Sequence, residues 1–300
     1  MEFDKIPTPE ELDLISDPET KIIPLFEAAR IMEKASGGKD KFPVGFELFS
    51  QVMTGGVTDG DLVVISGKSG HGKTTFAQTI SYHLAQIGLP QLWFSYEMQI
   101  TEIANKFAAM GLNDEFLGFC PLKLKGGSID WIEQKITEGV VKHNVKAIFI
   151  DHLGFLTPKI KGNETNMERN FSAYLGQICR QLKSLAIEKN IIIFLLAHVR
   201  KTKEELDIDD IAHSVGVAQE ADFVFMVERE KQKQNSKWAQ NEMGDMFTEF
   251  SRIMLVKNRR TGINKFIKCQ MSNGRLTEVA KHGNPTDPSI ADFGEIILGD

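Results

Sequence analysis

The order of apolar and polar positions divides the chain into three stretches. From residue 46 onward, short unbroken apolar runs alternate with longer segments of helical spacing. The runs Leu62–Ser66, "QLWFS" (91–95), "AIFID" (147–151), "IIIFLLA" (191–197) and "FVFMV" (223–227) are read as strands. Apolar runs without polar alternation belong to strands covered on both faces, as in a parallel sheet flanked by helices. Between them, residues 73–88, about 100–110, 128–143 and about 167–189 carry helical patterns, with Ser128 as an N-cap. After residue 250 the character changes. "FSRIMLVK" (250–257), "NKFIKCQ" (264–270) and "RLTEV" (275–279) read as antiparallel strands joined by "RRTG" and "SNG" turns. The fold expected is α/β, with a mostly parallel central sheet and antiparallel strands at its C-terminal end.

Two flanking stretches differ. Residues 1–45 form an expected arm: Thr8-Pro9-Glu10-Glu11 has the chemistry of a helix start, and Leu25, Phe26, Ala29 and Met32 share one helical face. That face either packs on its own domain or docks on a neighbouring subunit. "SGGKDK" (36–41) reads as a linker. Residues 46–280 are the main domain, and 281–300 are expected to form a loose tail.

Composition narrows the class. Three hundred residues suffice for one large α/β domain plus an appendage. A net charge of −6 argues against a wholesale basic surface for nucleic acid, though not against a narrow basic stripe. Cys120, Cys179 and Cys269 are isolated in sequence, which excludes a disulfide framework or zinc site and implies a reducing compartment. No apolar run reaches the roughly 20 residues of a membrane span, and no signal-peptide pattern opens the chain. A cytoplasmic protein without membrane contact is expected.

The chemistry concentrates at "ISGKSGHGKTT" (65–75). Gly67, Gly72, Lys73 and Thr74 match G-x-x-x-x-G-K-[ST]. An apolar strand precedes the match and a helix follows it, so backbone N–H groups and a helix N-terminus can converge on phosphates. Gly67, Lys68, Ser69, Gly70, His71, Gly72, Lys73, Thr74 and Thr75 are the candidate nucleotide-binding residues. Lys73 should reach the β/γ oxygens of ATP, and the Thr74 hydroxyl should sit on Mg²⁺. Asp151 closes "AIFID" and is the candidate second metal residue. Glu97, past the end of "QLWFS", is read either as the carboxylate that polarises water or as a surface glutamate. His198, ending a third strand, is either structural or a hydrogen-bond partner of the γ-phosphate.

Taken together, "VGFELFSQVMTGGVTDGDLVVISGKSGHGKTT", "SYEM", "IFIDHLGFL", "AHVRK", "AQEADFVFMVER" and "VKNRRTG" resemble the RecA-like ATPase domain of DnaB-type replicative helicases, over about residues 44–280. The motifs are most similar to the Twinkle and phage branch. The resemblance implies a RecA-like P-loop fold and an ATP-dependent, ring-forming DNA helicase motor. It aligns Glu97 with the family's catalytic glutamate, Asp151 with its Walker B acid and His198 with its γ-phosphate sensor. Lys257 and Arg259 fall on a K-x-R pair that reaches a neighbouring subunit's nucleotide; alone, "KNRR" reads first as a solvated hairpin turn, and the surrounding pattern reverses that. Implied partners are single-stranded DNA, further copies in a six-membered ring, and a primase or helicase loader.

Two departures stand out. "DIAHSVG" (210–216) carries Ala212 where bacterial relatives have an arginine, and the N-terminal, zinc and primase modules of relatives have no counterpart. In the implied ring, Lys159, Lys161, Arg200, Lys201 and Lys203 would line the channel and meet DNA phosphates; otherwise they are a solvated charge run. The alternative function is a RecA-like DNA-dependent ATPase or recombination mediator without unwinding.

Overall fold

The computed structural model describes residues 23–36, 40–125, 128–156, 164–198, 215–231 and 247–279. Two units separate, residues 1–40 and 41–300. In the first, helix α1 (Leu25–Ser36) exposes Leu25, Phe26 and Ile31. The start expected at Thr8 lies outside the described residues. The last five residues of the stretch read as an arm fold with the second unit. There β1 (Lys41–Phe42) pairs antiparallel with β2 (Val57–Thr58) around helix α2 (Glu47–Val52), and Val44 is fully buried.

The second unit then alternates strand and helix: β3 (Leu62–Gly67), α3 (Lys73–Gln86), β4 (Gln91–Ser95), α4 (Ile100–Ala109), β5 (Gly118–Phe119), α5 (Ile129–His143) and β6 (Ala147–Asp151). A 3₁₀ turn (Leu153–Leu156), α6 (Glu164–Lys189), β7 (Ile192–His198), α7 (Val215–Glu220) and β8 (Phe223–Lys231) follow. The chain continues in β9 (Phe247–Asn258), β10 (Lys265–Ser272) and β11 (Arg275–Glu278). Ser128 caps α5 as expected, its hydroxyl accepting from the Trp131 amide at 3.3 Å.

The strands form one sheet in the order β11-β10-β9-β8-β3-β7-β6-β4-β5. From β8 to β5 neighbours run parallel; β9, β10 and β11 are joined antiparallel. A strand's period of two divides each apolar run between the faces. Val63 and Ile65 of β3, with Phe194 and Leu196 of β7, enter a core shared with Phe49, Phe76 and Phe225. Leu62, Val64, Ile193 and Leu195 enter the opposite core, with Ile178 and Leu182 of α6. Register aligns Trp93, Phe149 and Phe194 across three strands. Their rings stack at 4.4 and 4.6 Å with interplanar angles of 6° in both pairs.

β8 and β9 run longer than their apolar patterns. Beyond Val227 the pair continues through Glu228–Lys231 and Phe247–Arg252 as a largely polar ribbon, with Arg229 over the Phe247 ring at 4.7 Å. Pairing holds residues there that burial alone would not mark. Helices α2 and α7 have only six residues each, too few to establish a helical period. No helix among the described residues is long and apolar enough to cross a membrane.

Phe149 lies inside the aromatic stack with no exposed surface. Phe149→Ala is expected to cost about 3–5 kcal/mol of stability, read as a lower urea midpoint with an unchanged slope.

Candidate nucleotide site and a separate cationic corner

Parallel strands β3, β7, β6 and β4 end on the same side of the sheet. Their C-terminal ends bring Gly67, His198, Asp151 and the turn holding Glu97 to one edge, where α/β proteins bind ligands. The phosphate-type loop leaves β3 at Gly67, whose φ is +152°. A Cβ there would sit 2.3 Å from the Val227 carbonyl oxygen of β8, so glycine is required by the close approach. Gly72 has φ +95° and serves as the N-cap of α3. His71 is buried, accepts the Arg229 amide on Nδ1 at 3.2 Å and meets Phe247 edge-on. The loop is therefore braced by the β8–β9 ribbon, while Ser69 and Gly70 stay exposed at its tip.

Lys73 and Thr74 open α3 within this loop. Lys73 is buried, and its ammonium donates to the Lys68 carbonyl at 3.0 Å, back across the loop. Burial lowers its pKa, while Glu97 and Asp151 oppose the shift. Thr74 Oγ1 donates to Asp151 Oδ2 at 2.9 Å. The other Asp151 oxygen, Oδ1, is buried and has no hydrogen-bond partner among the described residues. Burial, with the nearby Glu97 charge, raises the Asp151 pKa to about 6. A desolvated carboxylate with an unfilled oxygen, a threonine hydroxyl beside it and a second carboxylate nearby suit a hard divalent cation such as Mg²⁺.

His198 Nε2 lies 3.6 Å from Glu97 Oε1. Burial and then Lys73 lower its pKa, favouring the neutral ring near pH 7. Next to them stands a residue the sequence reading passed over, His152. Its ring meets that of His198 at 4.3 Å and 82°. One donor atom from each of Glu97, His152 and His198 falls within 4.8 Å of the others. That grouping alone would suit a metal. However, His152 Nδ1 already accepts the Gly154 amide at 2.9 Å. Its Nε2 then carries the proton, making the ring a donor rather than a ligand. Burial and His198 lower the His152 pKa to about 4, which preserves this neutral form. The signal in sequence was a histidine directly after the strand-ending acid.

Lys257 and Arg259 lie at the other edge. Because β9 runs antiparallel to β8, Asn258 at its end pairs with Phe223 at the start of β8. The Arg259 amide donates to the Asp222 carbonyl at 2.9 Å, and the Asp222 amide donates to Leu62, where β3 begins. β3 separates this corner from Gly67 by five residue steps, about 17 Å. Lys257 Nζ and Arg259 Nη2 both donate to the Gln219 carbonyl near the end of α7, at 3.0 and 2.6 Å. The next arginine does something different. Arg260 turns inward, donating to Asp61 and to the Met53 and Gly56 carbonyls, and lies over the Phe223 ring. Of the "KNRR" cations, Arg260 is thus an anchor and Arg259 is half-exposed. Lys159, Lys161, Arg200, Lys201, Lys203 and Ala212 lie outside the described residues.

The sequence model of the DnaB-like helicase C-terminal domain matches residues 42–113 and 123–275. The replicative DNA helicase DnaB of Mycoplasma pneumoniae is 27% identical over 245 residues, covering 69% of this chain and 50% of that protein. The DNA repair protein RadA of Streptococcus pneumoniae is 25% identical over 252 residues, covering 83% of this chain and 51% of that protein. The chain thus spans about half the length of these curated relatives. A solved DnaB-like replicative helicase, described with its primase interactions, superposes with a TM-score of 0.64 at 17% identity. That superposition covers 90% of this chain and 70% of the other, and it supports the RecA-like fold.

Asp151 gives this site a pH signature. Its raised pKa means that the folded protein binds the extra proton, so its contribution to stability falls between pH 3.8 and about 6 and stays low above. His152 acts oppositely: held neutral when folded, it adds stability as pH rises from about 4 to 6.5. Asp151→Asn should therefore raise the nucleotide-free stability at pH 7.5 by on the order of 2–3 kcal/mol. It should also steepen the rise in melting temperature between pH 4 and 6.

Proposed function

The chain belongs to the family of DnaB-like helicase C-terminal domains, and from that membership we propose that it is an ATP-hydrolysing DNA helicase motor, assembling as a ring that moves along single-stranded DNA. The observation carrying this reading is the separation of its two cationic regions. The loop with Lys73 and the corner with Arg259 occupy opposite edges of one sheet, about 17 Å apart along β3. A protomer cannot bring its own Arg259 to its own phosphates without breaking that sheet. Two different surfaces that complete one site fit a head-to-tail contact, which repeats and closes into a ring. The apolar face of α1, on which Leu25 and Phe26 are exposed, supports a further contact with a neighbouring copy.

Within a site, the backbone N–H groups of residues 67–73 and the Lys73 ammonium bind the triphosphate of ATP. Thr74 and Asp151 hold Mg²⁺, which when bound supplies positive charge to the phosphate oxygens. Glu97 accepts the proton of the attacking water. His198, 3.6 Å from Glu97, shifts its hydrogen bonding when the terminal phosphate leaves, coupling phosphate release to movement of the DNA. Arg259 from the adjoining protomer stabilises charge on the transferred phosphoryl group. Lys159, Lys161, Arg200, Lys201 and Lys203 contact DNA phosphates, so affinity falls with salt by about 0.7 log units per neutralised phosphate per decade.

A second reading draws on RadA, which matches 83% of this chain. In this reading the chain is a RecA-like DNA-dependent ATPase or recombination mediator that does not separate strands.

Arg259→Ala should lower DNA-stimulated ATP turnover by about 10³-fold or more while nucleotide binding, read by a fluorescent analogue, persists. The wild-type protein should separate a forked duplex when ATP is supplied. DNA-stimulated hydrolysis without strand separation would favour the second reading. Turnover indifferent to Arg259→Ala would contradict both the ring and the shared site.

A further inference from the structure

The half-exposed Arg259 is held by a nearly buried carboxylate that the sequence reading did not single out. Asp222 sits between α7 and β8, with its side chain 9% exposed. Its Oδ1 receives Arg259 Nη1 at 3.2 Å, and its backbone carbonyl accepts the Arg259 amide at 2.9 Å. Its Oδ2 accepts the Leu62 amide at 2.9 Å and the Lys183 ammonium at 2.5 Å. Asp222 therefore grips the arginine twice, once with its carboxylate and once with its backbone carbonyl, and the same carboxylate meets the first residue of β3 and shares its charge with Lys183 of α6.

The other groups around the corner complete the hold. Gln219 offers its carbonyl to both Lys257 and Arg259, at the helix end that favours cations. Arg260 fastens the same turn to Asp61, a second buried carboxylate beside Asp222. A guanidinium has five N–H donors, and the contacts to Asp222 and Gln219 use two. Arg259 remains 47% exposed. It is oriented without being covered.

We propose that Asp222 is a positioning residue for catalysis in the adjoining protomer: it fixes the attitude in which Arg259 is presented across the subunit contact and touches no nucleotide itself. An unrestrained arginine spreads over many rotamers, and a cation that acts across an interface loses its effect when its head group wanders. Lys183 supports the arrangement by neutralising the remaining carboxylate charge. The inference rests on the reading of Arg259 as the cation lent to a neighbour.

The test exploits the separation of the two edges. Asp222→Asn keeps an oxygen for the Leu62 amide and the shape of the side chain, but removes the charge that holds Arg259. It should lower turnover by about 10- to 100-fold, the effect of losing a charge-assisted hydrogen bond, with KM for ATP unchanged. Mixing with an excess of Lys73→Ala protomers then decides the matter. Those protomers have no working phosphate loop but present a normal Arg259, so they should restore turnover at the Asp222→Asn protomers' own sites. Asp222→Glu, which retains the charge, should recover much of the loss without mixing.

Arg259→Ala mixed in the same way is the reference. If Arg259→Ala is rescued and Asp222→Asn is not, Asp222 acts on its own protomer's loop through β3 and the proposal falls. Full activity of Asp222→Asn alone also overturns it, as does failure of both Asp222 variants to fold. If Arg259→Ala itself is not rescued, the shared-site reading has failed, and the inference with it.

Discussion

The direction of the strands is the constraint on which everything else depends. Parallel pairing from β8 to β5 sends the C-terminal ends of the core strands to one edge, where the phosphate-type loop, Glu97, Asp151 and His198 meet. The reversal at β9 sends Lys257 and Arg259 to the other edge. Hydrogen-bonded register leaves no freedom here. A one-residue slip would move every apolar side chain to the wrong face, and both cores oppose it. The same packing that gives the sheet its stability therefore keeps the two cationic regions apart.

The candidate nucleotide edge carries the marks of a place where stability has been set aside for chemistry. Asp151 has a buried oxygen without a hydrogen-bond partner, and its carboxyl is held near pKa 6 by burial and a second acid. Lys73 is buried, and its ammonium donates to a loop carbonyl, that of Lys68. Such groups are costly in an empty fold and become favourable when cations and phosphates supply the missing partners. The cationic corner is the opposite case. Asp222, Lys183, Arg260 and Asp61 are paired, and the pairing orders the turn that carries Arg259.

Much of this was legible in the sequence because burial writes itself as pattern. The apolar runs of β3, β4, β6 and β7 located the sheet to within a residue or two, and Ser128 marked the start of α5. The loop residues and the strand-ending Asp151 and His198 followed from the same runs. What pattern could not convey was partnership between distant residues. Asp222 receives Leu62 from 160 positions away, and nothing near it in sequence announces the contact. Arg259 and Arg260 are neighbours of one chemical type, yet their roles diverge because the turn points one outward and the other onto Asp61. The polar half of the β8–β9 ribbon was hidden because its strands are held by pairing rather than by burial.

Completion of each site by a second copy of the chain is tested by following ATP turnover per protomer, together with particle mass, as protein concentration is varied across the assembly range. Turnover per protomer should rise steeply as rings form and stay near zero for the dispersed chain. Constant turnover per protomer across the same range, with a solitary particle throughout, would contradict it.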